Sequence, residues 1–184
     1  MSTAETILKI KTYGNSCLRK KSAPIREVTD RHCRLLSAMA RLMYDSGGIG
    51  LAAPQVGINE AMLVADIGTG LYKLVNPRII KCQGKQALEE GCLSVPGICL
   101  KVKRALEVEI QALDEEGKPQ RITAEGLLAC VFQHEIDHLK GKLIVDYATF
   151  VDRLKIKRKL QTLRKRTTSE ELLSSETKLC KLQL

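Results

Sequence analysis

The sequence predicts an α+β fold whose sheet is largely antiparallel. Along its 184 residues the elements follow the order helix, several strands, hairpin, helix, helix. The pattern has no regular alternation of strand and helix, which a parallel sheet would require. Residues 106–112 alternate apolar and polar side chains, as is typical of an antiparallel strand with one buried face. The length favours one domain with an appendage.

Apolar spacing predicts the individual elements. Residues 28–46 repeat leucine and methionine every three or four positions, which predicts a helix. The short apolar runs 61–67 and 71–80 predict two strands, the second interrupted by Pro77. Residues 106–112 and the returning "QRIT" predict a hairpin. Helical patterns follow at 125–139 and, strongly basic, from residue 148 onward.

Charge is unevenly distributed along the chain. The net charge is +9, and residues 151–184 hold 10 Lys and Arg against 4 Asp and Glu. This asymmetry indicates an anionic partner for the C-terminal part, such as nucleic acid or a membrane surface. We therefore divide the chain into a catalytic domain, 1–150, and a basic C-terminal helix and tail, 151–184.

The cysteines indicate a reducing compartment. There are 7 of them at irregular spacings, so no disulfide framework is implied. The N-terminus "MSTAETILKI" lacks the basic and apolar regions of a secretory signal. No stretch approaches the roughly 20 apolar residues of a membrane span. We expect a cytoplasmic protein that has no membrane association and keeps its thiols free.

The motif "HEIDH" carries the first specific chemistry. His134 and His138 lie four residues apart, so a helix places both imidazoles on one face. Leu127 and Val131 precede them on the same face, so this face carries an apolar patch next to the two histidines. In the H-E-x-x-H pattern both histidines bind a metal ion, and the intervening Glu135 serves as general base.

The two histidines do not identify the third protein ligand of the metal ion. A catalytic site of the zinc type commonly has three protein ligands and one open position. A zinc endopeptidase would take a downstream carboxylate, for which Glu170, Glu171 and Glu176 are available. An upstream cysteine is the alternative, and Cys92 lies in the turn-like stretch 88–97. Spacing alone does not choose between them.

A glycine-rich segment, "GGIGLAAPQVG" at 47–57, is the third feature. Its glycines allow the backbone to approach a ligand closely. Gln55 offers an amide that can donate to an oxyanion. The segment lacks the lysine and hydroxyl residue of a phosphate-binding loop.

Taken together, the three segments resemble the peptide deformylase family. That family is marked in order by G-φ-G-φ-A-A-P-Q, E-G-C-φ-S and Q-H-E-φ-D-H, where φ is apolar. The sequence reads "GIGLAAPQ" at 48–55, "EGCLS" at 90–94 and "QHEIDH" at 133–138. The resemblance covers residues 7–150 and implies antiparallel β-sheets around a central metal-bearing helix, with a basic helix at the C-terminus.

The resemblance implies a metal-dependent hydrolase that removes the formyl group from N-terminal formylmethionine and releases formate. One divalent ion, natively Fe(II) or else Zn(II) or Ni(II), would be held by Cys92, His134 and His138. Glu135 would move the proton, while Gln55 and the backbone N–H of Leu93 would stabilise the oxyanion.

The resemblance also implies a substrate site. The methionine pocket would be formed by Ile49, Leu88, Leu127, Cys130 and Val131, with Gly50 and Gly91 near the substrate main chain. Many members carry an arginine soon after the cysteine motif that contacts this main chain. The present sequence has no arginine there before Arg104.

Two questions remain open from the sequence: the role of the basic segment 152–166 and the function of the whole chain. The segment is either a solvated helical face or a surface that docks on ribosomal RNA, as the C-terminal helix does in related enzymes. Besides the endopeptidase, the chain could be a non-catalytic ribosome-associated factor. Intact Gln55, Cys92 and Glu135 argue against that factor.

Overall fold

The structure, a computed structural model, describes the backbone of residues 8–180 and the side chains of residues 8–169. This range contains three α-helices, α1 (Asp30–Asp45), α2 (Gly126–Leu139) and α3 (Phe150–Cys180). It also contains seven strands: β1 (Gly50–Ala52), β2 (Met62–Ala65), β3 (Tyr72–Gln83), β4 (Gln86–Glu90), β5 (Leu100–Arg104), β6 (Glu107–Leu113) and β7 (Pro119–Glu125). None of the described helices is long and apolar enough to span a bilayer.

The predicted α+β class and antiparallel pairing are confirmed. A five-stranded sheet has the order β1-β2-β3-β6-β7, and β4 pairs with β5 in a second sheet. Every one of these strand pairs is antiparallel. The predicted helices correspond to α1, α2 and α3, and the predicted hairpin corresponds to β6 and β7.

Two sequence-based expectations were wrong in detail. Strand β3 is not interrupted by Pro77 but continues to Gln83, because Asn76 adopts a positive φ of 52° and the register shifts there. The stretch 88–97 is not all turn, since its first residues belong to β4. Strands β1, β4 and β5 were not predicted.

Helices α1 and α2 cover opposite faces of the five-stranded sheet. In β2, Met62 and Val64 join the apolar cluster of α1, while Leu63 and Ala65 join that of α2. A strand buried on both faces is apolar at every position, as the run "MLVA" is. Phe132 of α2 is fully buried in this core. The histidine-bearing helix is therefore central, as predicted.

Helix α3 packs on a third apolar cluster. Its residues Ile156, Leu160 and Leu163 contact buried side chains that include Val102 of β5 and Leu143. These three positions recur every three or four residues, so one face of α3 lies against the molecule. Its opposite face remains exposed.

Candidate active site and metal centre

Helix α2 and the segment after β4 bring three metal-ligating side chains together. His134 and His138 lie on one face of α2, with their rings edge to face and their centroids 5.0 Å apart. Cys92 follows the end of β4, and its Sγ lies 3.2 Å from Nε2 of His138. The candidate ligand atoms of Cys92, His134 and His138 all lie within 4.8 Å of one another.

Glu90 orients the first histidine. Its Oε2 accepts a hydrogen bond from Nδ1 of His134 at 2.9 Å, which leaves Nε2 as the ligand nitrogen. Burial lowers the pKa of His134, but hydrogen bonds to Cys92 and Glu90 outweigh it and raise this pKa to about 10. A bound cation would take the place of that proton between the imidazole and the thiol sulfur.

His138 is held in the neutral form that binds metals. It is 1% exposed, and burial lowers its pKa well below the ordinary value, with further lowering from the positive charge of His134. Its Nδ1 has no hydrogen-bond partner in the described part of the chain. A neutral imidazole facing a thiol is suited to a divalent ion.

The donor set fits a first-row divalent ion. Metal–sulfur and metal–nitrogen bonds of roughly 2.3 and 2.0 Å allow one ion to reach three donors clustered this closely. Burial of His138 also excludes competing water from one side. One sulfur and two imidazole nitrogens form a possible metal site, and two of the three residues, Cys92 and His134, also line the cavity described below.

Glu135 lies beside this cluster in a desolvated position. Its side chain is buried, and Oε2 has no hydrogen-bond partner among the described residues. Burial raises the pKa of Glu135 to about 7, although the positive charge of His134 opposes the rise. A carboxyl group that titrates near neutral pH and lacks a fixed partner is suited to accept and return a proton.

Gln55 points its amide nitrogen at the cluster. It lies in a short 3₁₀ helix, Ala53–Val56, and its Oε1 accepts a hydrogen bond from the Ala52 N–H at 2.8 Å. The Nε2 is consequently directed the other way, 3.7 Å from Cys92 Sγ and 3.3 Å from Ser94 Oγ. The structure thus brings a fixed N–H donor next to the predicted metal ligand.

A cavity of about 380 Å³ opens onto the cluster. Ile49 and Leu127 are about half exposed and form its rim. All seven residues expected to bind substrate line it: Ile49, Gly50, Leu88, Gly91, Leu127, Cys130 and Val131. Gln55, Cys92, Leu93, His134 and Glu135 line it too, whereas His138 lies behind them.

Sequence reasoning missed the group that supports the ligands. Glu90 forms a two-point ion pair with Arg104 at 2.8 and 3.0 Å, and Arg104 also contacts Asp137 at 2.5 Å. Cys130 donates its S–H to Glu90 Oε1 at 3.1 Å. The available signal was that a metal-binding histidine needs a partner for its second nitrogen, and an acid stands two residues before Cys92.

The sequence allowed either Cys92 or a downstream glutamate as the third metal ligand. Among the described residues, the histidine pair is completed by Cys92. The side chains of Glu170, Glu171 and Glu176 lie outside the described residues.

Comparison with known proteins agrees with this geometry. Residues 7–154 match the family model of polypeptide deformylase. The peptide deformylase of Halothermothrix orenii is 49% identical over 142 residues, which cover 76% of this chain and 92% of that protein. The one from Alkalilimnicola ehrlichii is 45% identical over 161 residues, covering 85% and 90%.

Solved structures give the same result. The crystal structure of the Legionella pneumophila peptide deformylase superposes with a TM-score of 0.82 at 42% identity and covers 89% of this chain and 98% of that one. The Thermus thermophilus enzyme gives 0.84 at 34% identity, covering 88% and 99%. The chain therefore belongs to the peptide deformylase family, whose activity is hydrolytic removal of the N-formyl group from nascent polypeptides.

Proposed function

We propose that the chain hydrolyses the formyl amide of N-terminal formylmethionine with one divalent ion held by Cys92, His134 and His138. The observation that carries this proposal is the grouping of the three ligand atoms within 4.8 Å beside the buried Glu135. A divalent ion bound there would supply an activated water and polarise the formyl carbonyl. The soft sulfur and two imidazoles suit Fe(II), which we propose as the native ion, as well as Zn(II) or Ni(II).

Glu135 is the proposed proton carrier. Its carboxylate takes a proton from the attacking water, and the protonated carboxyl then gives this proton to the leaving amine as the C–N bond breaks. Formate and a free N-terminal amine are the products. The raised pKa of about 7 keeps both the donor and the acceptor form accessible near neutral pH.

Gln55 and Leu93 are the proposed oxyanion donors. Negative charge develops on the formyl oxygen as water attacks, and fixed N–H groups stabilise it without having to reorganise. The hydrogen bond from the Ala52 N–H to Gln55 Oε1 supports the role of Gln55 as an oxyanion donor, because it fixes the direction of Nε2. The backbone N–H of Leu93 would complete the pair.

The methionine side chain is proposed to occupy the cavity. The volume of about 380 Å³ lies within the range of small-ligand sites. The apolar side chains of Ile49, Leu88, Leu127 and Val131 would contact the thioether chain, with Cys130 at its base. Gly50 and Gly91 would leave room for the substrate main chain.

The test is an assay of formyl-Met-Ala-Ser together with metal analysis after anaerobic purification. We expect formate release, about one ion per chain, and loss of both in Cys92→Ser. Cys82→Ser, which changes an exposed cysteine on β3, is the matched control and should behave as wild type. A Cys92→Ser protein with full metal content would refute the ligand set and favour a downstream carboxylate.

We further propose that α3 docks on ribosomal RNA. The exposed basic side chains Lys155, Lys157 and Arg158 support this, because they lie away from the apolar face that packs on the molecule. Phosphate contacts of this kind weaken steeply with added salt. The proposed division of the chain into 1–150 and 151–184 rests on the same excess of Lys and Arg in the C-terminal part.

Ribosome co-sedimentation at several salt concentrations tests this docking. Reversing the charge of Lys155, Lys157 and Arg158 should weaken binding and flatten its salt dependence. A control that reverses exposed Lys21, Lys81 and Lys140 changes the net charge equally and should bind as wild type. Equal binding by both triple variants would refute docking through α3.

A further inference from the structure

A short N-terminal segment, residues 11–13, bridges two parts of the active site. We call it the strap. The Lys11 N–H donates to the backbone carbonyl of Gln55 at 2.7 Å, and the Tyr13 N–H donates to the carbonyl of Ser94 at 2.8 Å. Gln55 and Leu93, which directly precedes Ser94, are the two proposed oxyanion donors. The strap therefore binds the two segments that carry these donors, which we call the donor segments: one contains Gln55, and the other contains Leu93 and Ser94.

The two donor segments also contact each other. Ser94 is fully buried, and its hydroxyl accepts the hydrogen bond from Gln55 Nε2 at 3.3 Å. The strap, Gln55 and Ser94 thus form a closed set of hydrogen bonds. Since the set includes both donor segments, a shift of the strap would change the distance between the amide and the Leu93 N–H.

Helix α3 in turn holds the strap through one side chain. Thr12 Oγ1 lies 2.6 Å from Thr167 Oγ1, and Thr167 donates to the carbonyl of Tyr13 at 3.1 Å. Thr167 is 4% exposed and is the one buried residue in the described side chains of α3. A Cβ added at Gly14 would lie 3.1 Å from the Arg164 Cα, so the two backbones approach closely here.

We propose that Thr167 is a positioning residue that sets the geometry of the oxyanion donors through the strap. This inference rests on the proposed roles of Gln55 and Leu93. Neither Thr167 nor its hydrogen-bond partners Thr12 and Tyr13 line the cavity, so we place its effect in the strap. A hydroxyl is needed at this position because it serves two partners, the Thr12 hydroxyl and the Tyr13 carbonyl.

The primary test is Thr167→Val, which keeps the branched shape and removes both hydrogen bonds. We expect kcat to fall roughly tenfold, less than the 10²–10³-fold that follows removal of an oxyanion donor. KM and metal content should stay unchanged, because the methionine cavity and the metal ligands are not displaced. Thr167→Ser keeps the hydroxyl and should retain wild-type kcat.

The neighbouring threonine is a matched control. Thr168 is exposed, and its hydroxyl donates within the helix to the Arg164 carbonyl at 3.0 Å. Thr168→Val should therefore leave kcat unchanged. Thr12→Val removes one of the two bonds to Thr167 and should lower kcat by less than Thr167→Val does. An unchanged kcat in Thr167→Val would overturn the proposal.

A double-mutant cycle separates positioning from general destabilisation. In a Gln55→Ala background the amide is absent, so adding Thr167→Val should cost distinctly less than in wild type. An equal loss in both backgrounds would overturn the proposal, because the effect would then bypass the Gln55 donor. Failure of the proposed chemistry is distinguishable, since Gln55→Ala alone would then leave kcat unchanged.

Discussion

Gly50 lies where β1 passes closest to the proposed proton carrier. A Cβ at this position would collide with the Glu135 carboxylate and would lie 3.0 Å from Val131 Cγ1. Neither neighbour can move freely, since Glu135 is buried and Val131 of α2 is packed in the apolar core. Glycine is therefore required here for space, and the φ of Gly50 is not among the positive values.

Gly50→Ala tests this close approach. We expect kcat/KM to fall by about 10²-fold, because a displacement of the carboxylate by about 1 Å has effects of this size. Metal content and the circular dichroism spectrum should match wild type, since the ligands on α2 and after β4 are not touched. Activity within twofold of wild type would contradict the contact between β1 and Glu135.

At the residue scale, the candidate site residues came from the sequence, whereas the residues that support them did not. The spacing of His134 and His138 indicated a shared metal, because four residues make one helical turn. Neither that spacing nor any other periodicity identified Cys92, which required the family resemblance. Glu90 was missed because its bond to His134 joins residues 44 positions apart, and no local pattern reports such a contact.

At the scale of elements, Asn76 explains how β3 continues through a proline. Pro77 has no N–H for the strand ladder, and Asn76 adopts a φ of 52° at the register shift. The side chain of Asn76 then binds both backbone groups of Ile25, accepting from N–H at 2.8 Å and donating to C=O at 2.7 Å. The side chain of Asn76 thus ties the irregular point of β3 to the segment that contains Ile25.

Asn76→Ala should lower the free energy of unfolding by about 2–4 kcal/mol in urea denaturation. The loss combines two hydrogen bonds at roughly 1 kcal/mol each with the cost of a left-handed alanine. Asn76→Gly keeps the conformation accessible and should lose about 1 kcal/mol less. Exposed Asn59→Ala is the control and should change stability by under ~0.5 kcal/mol. A stable Asn76→Ala protein would contradict this role of the Asn76 side chain.

Two of the three strands that the sequence failed to predict, β4 and β5, each end on a buried charged side chain. Strands β4 and β5 turn charged side chains inward, since Glu90 and Arg104 are 6% and 7% exposed. In β5 the apolar alternation therefore rests on Leu100 and Val102 alone, which is too short a run to predict a strand. By contrast, the buried positions of α1 and β2 are apolar apart from His32, and α2 was predicted from the helical spacing of Leu127, Val131 and its two histidines. The strand pattern is therefore weakest where the chain supports the candidate metal ligands.

At the scale of the whole molecule, the ion pairs around Arg104 join the small sheet to the central helix. Arg104 of β5 contacts Glu90 of β4 and Asp137 of α2, and Tyr147 donates to Asp137 at 2.7 Å. Burial would raise the pKa of Glu90, but Arg104 and His134 outweigh it and lower this pKa to about 2. The ionised carboxylate is thus preferred in the folded state.

This preference predicts how stability depends on acid. Because the folded pKa of Glu90 is below its ordinary value of 4.5, its contribution is present above that pH and is lost as the pH falls toward 2. A difference of this size corresponds to an order of 3 kcal/mol. Glu90→Gln should be less stable than wild type at pH 6, and this gap should shrink below pH 4.5.

The measurement is urea unfolding of chelator-treated protein between pH 6 and 3, so that metal loss does not add to the pH dependence. Glu109→Gln is the control, because the pair between Glu109 and Arg121 joins side chains at the surface and should contribute under ~1 kcal/mol. Breaking a buried pair should cost about 3–5 kcal/mol at pH 6 instead. A gap between wild type and Glu90→Gln that stays constant down to pH 3 would mean that the small sheet is not held to α2 by an ionised Glu90.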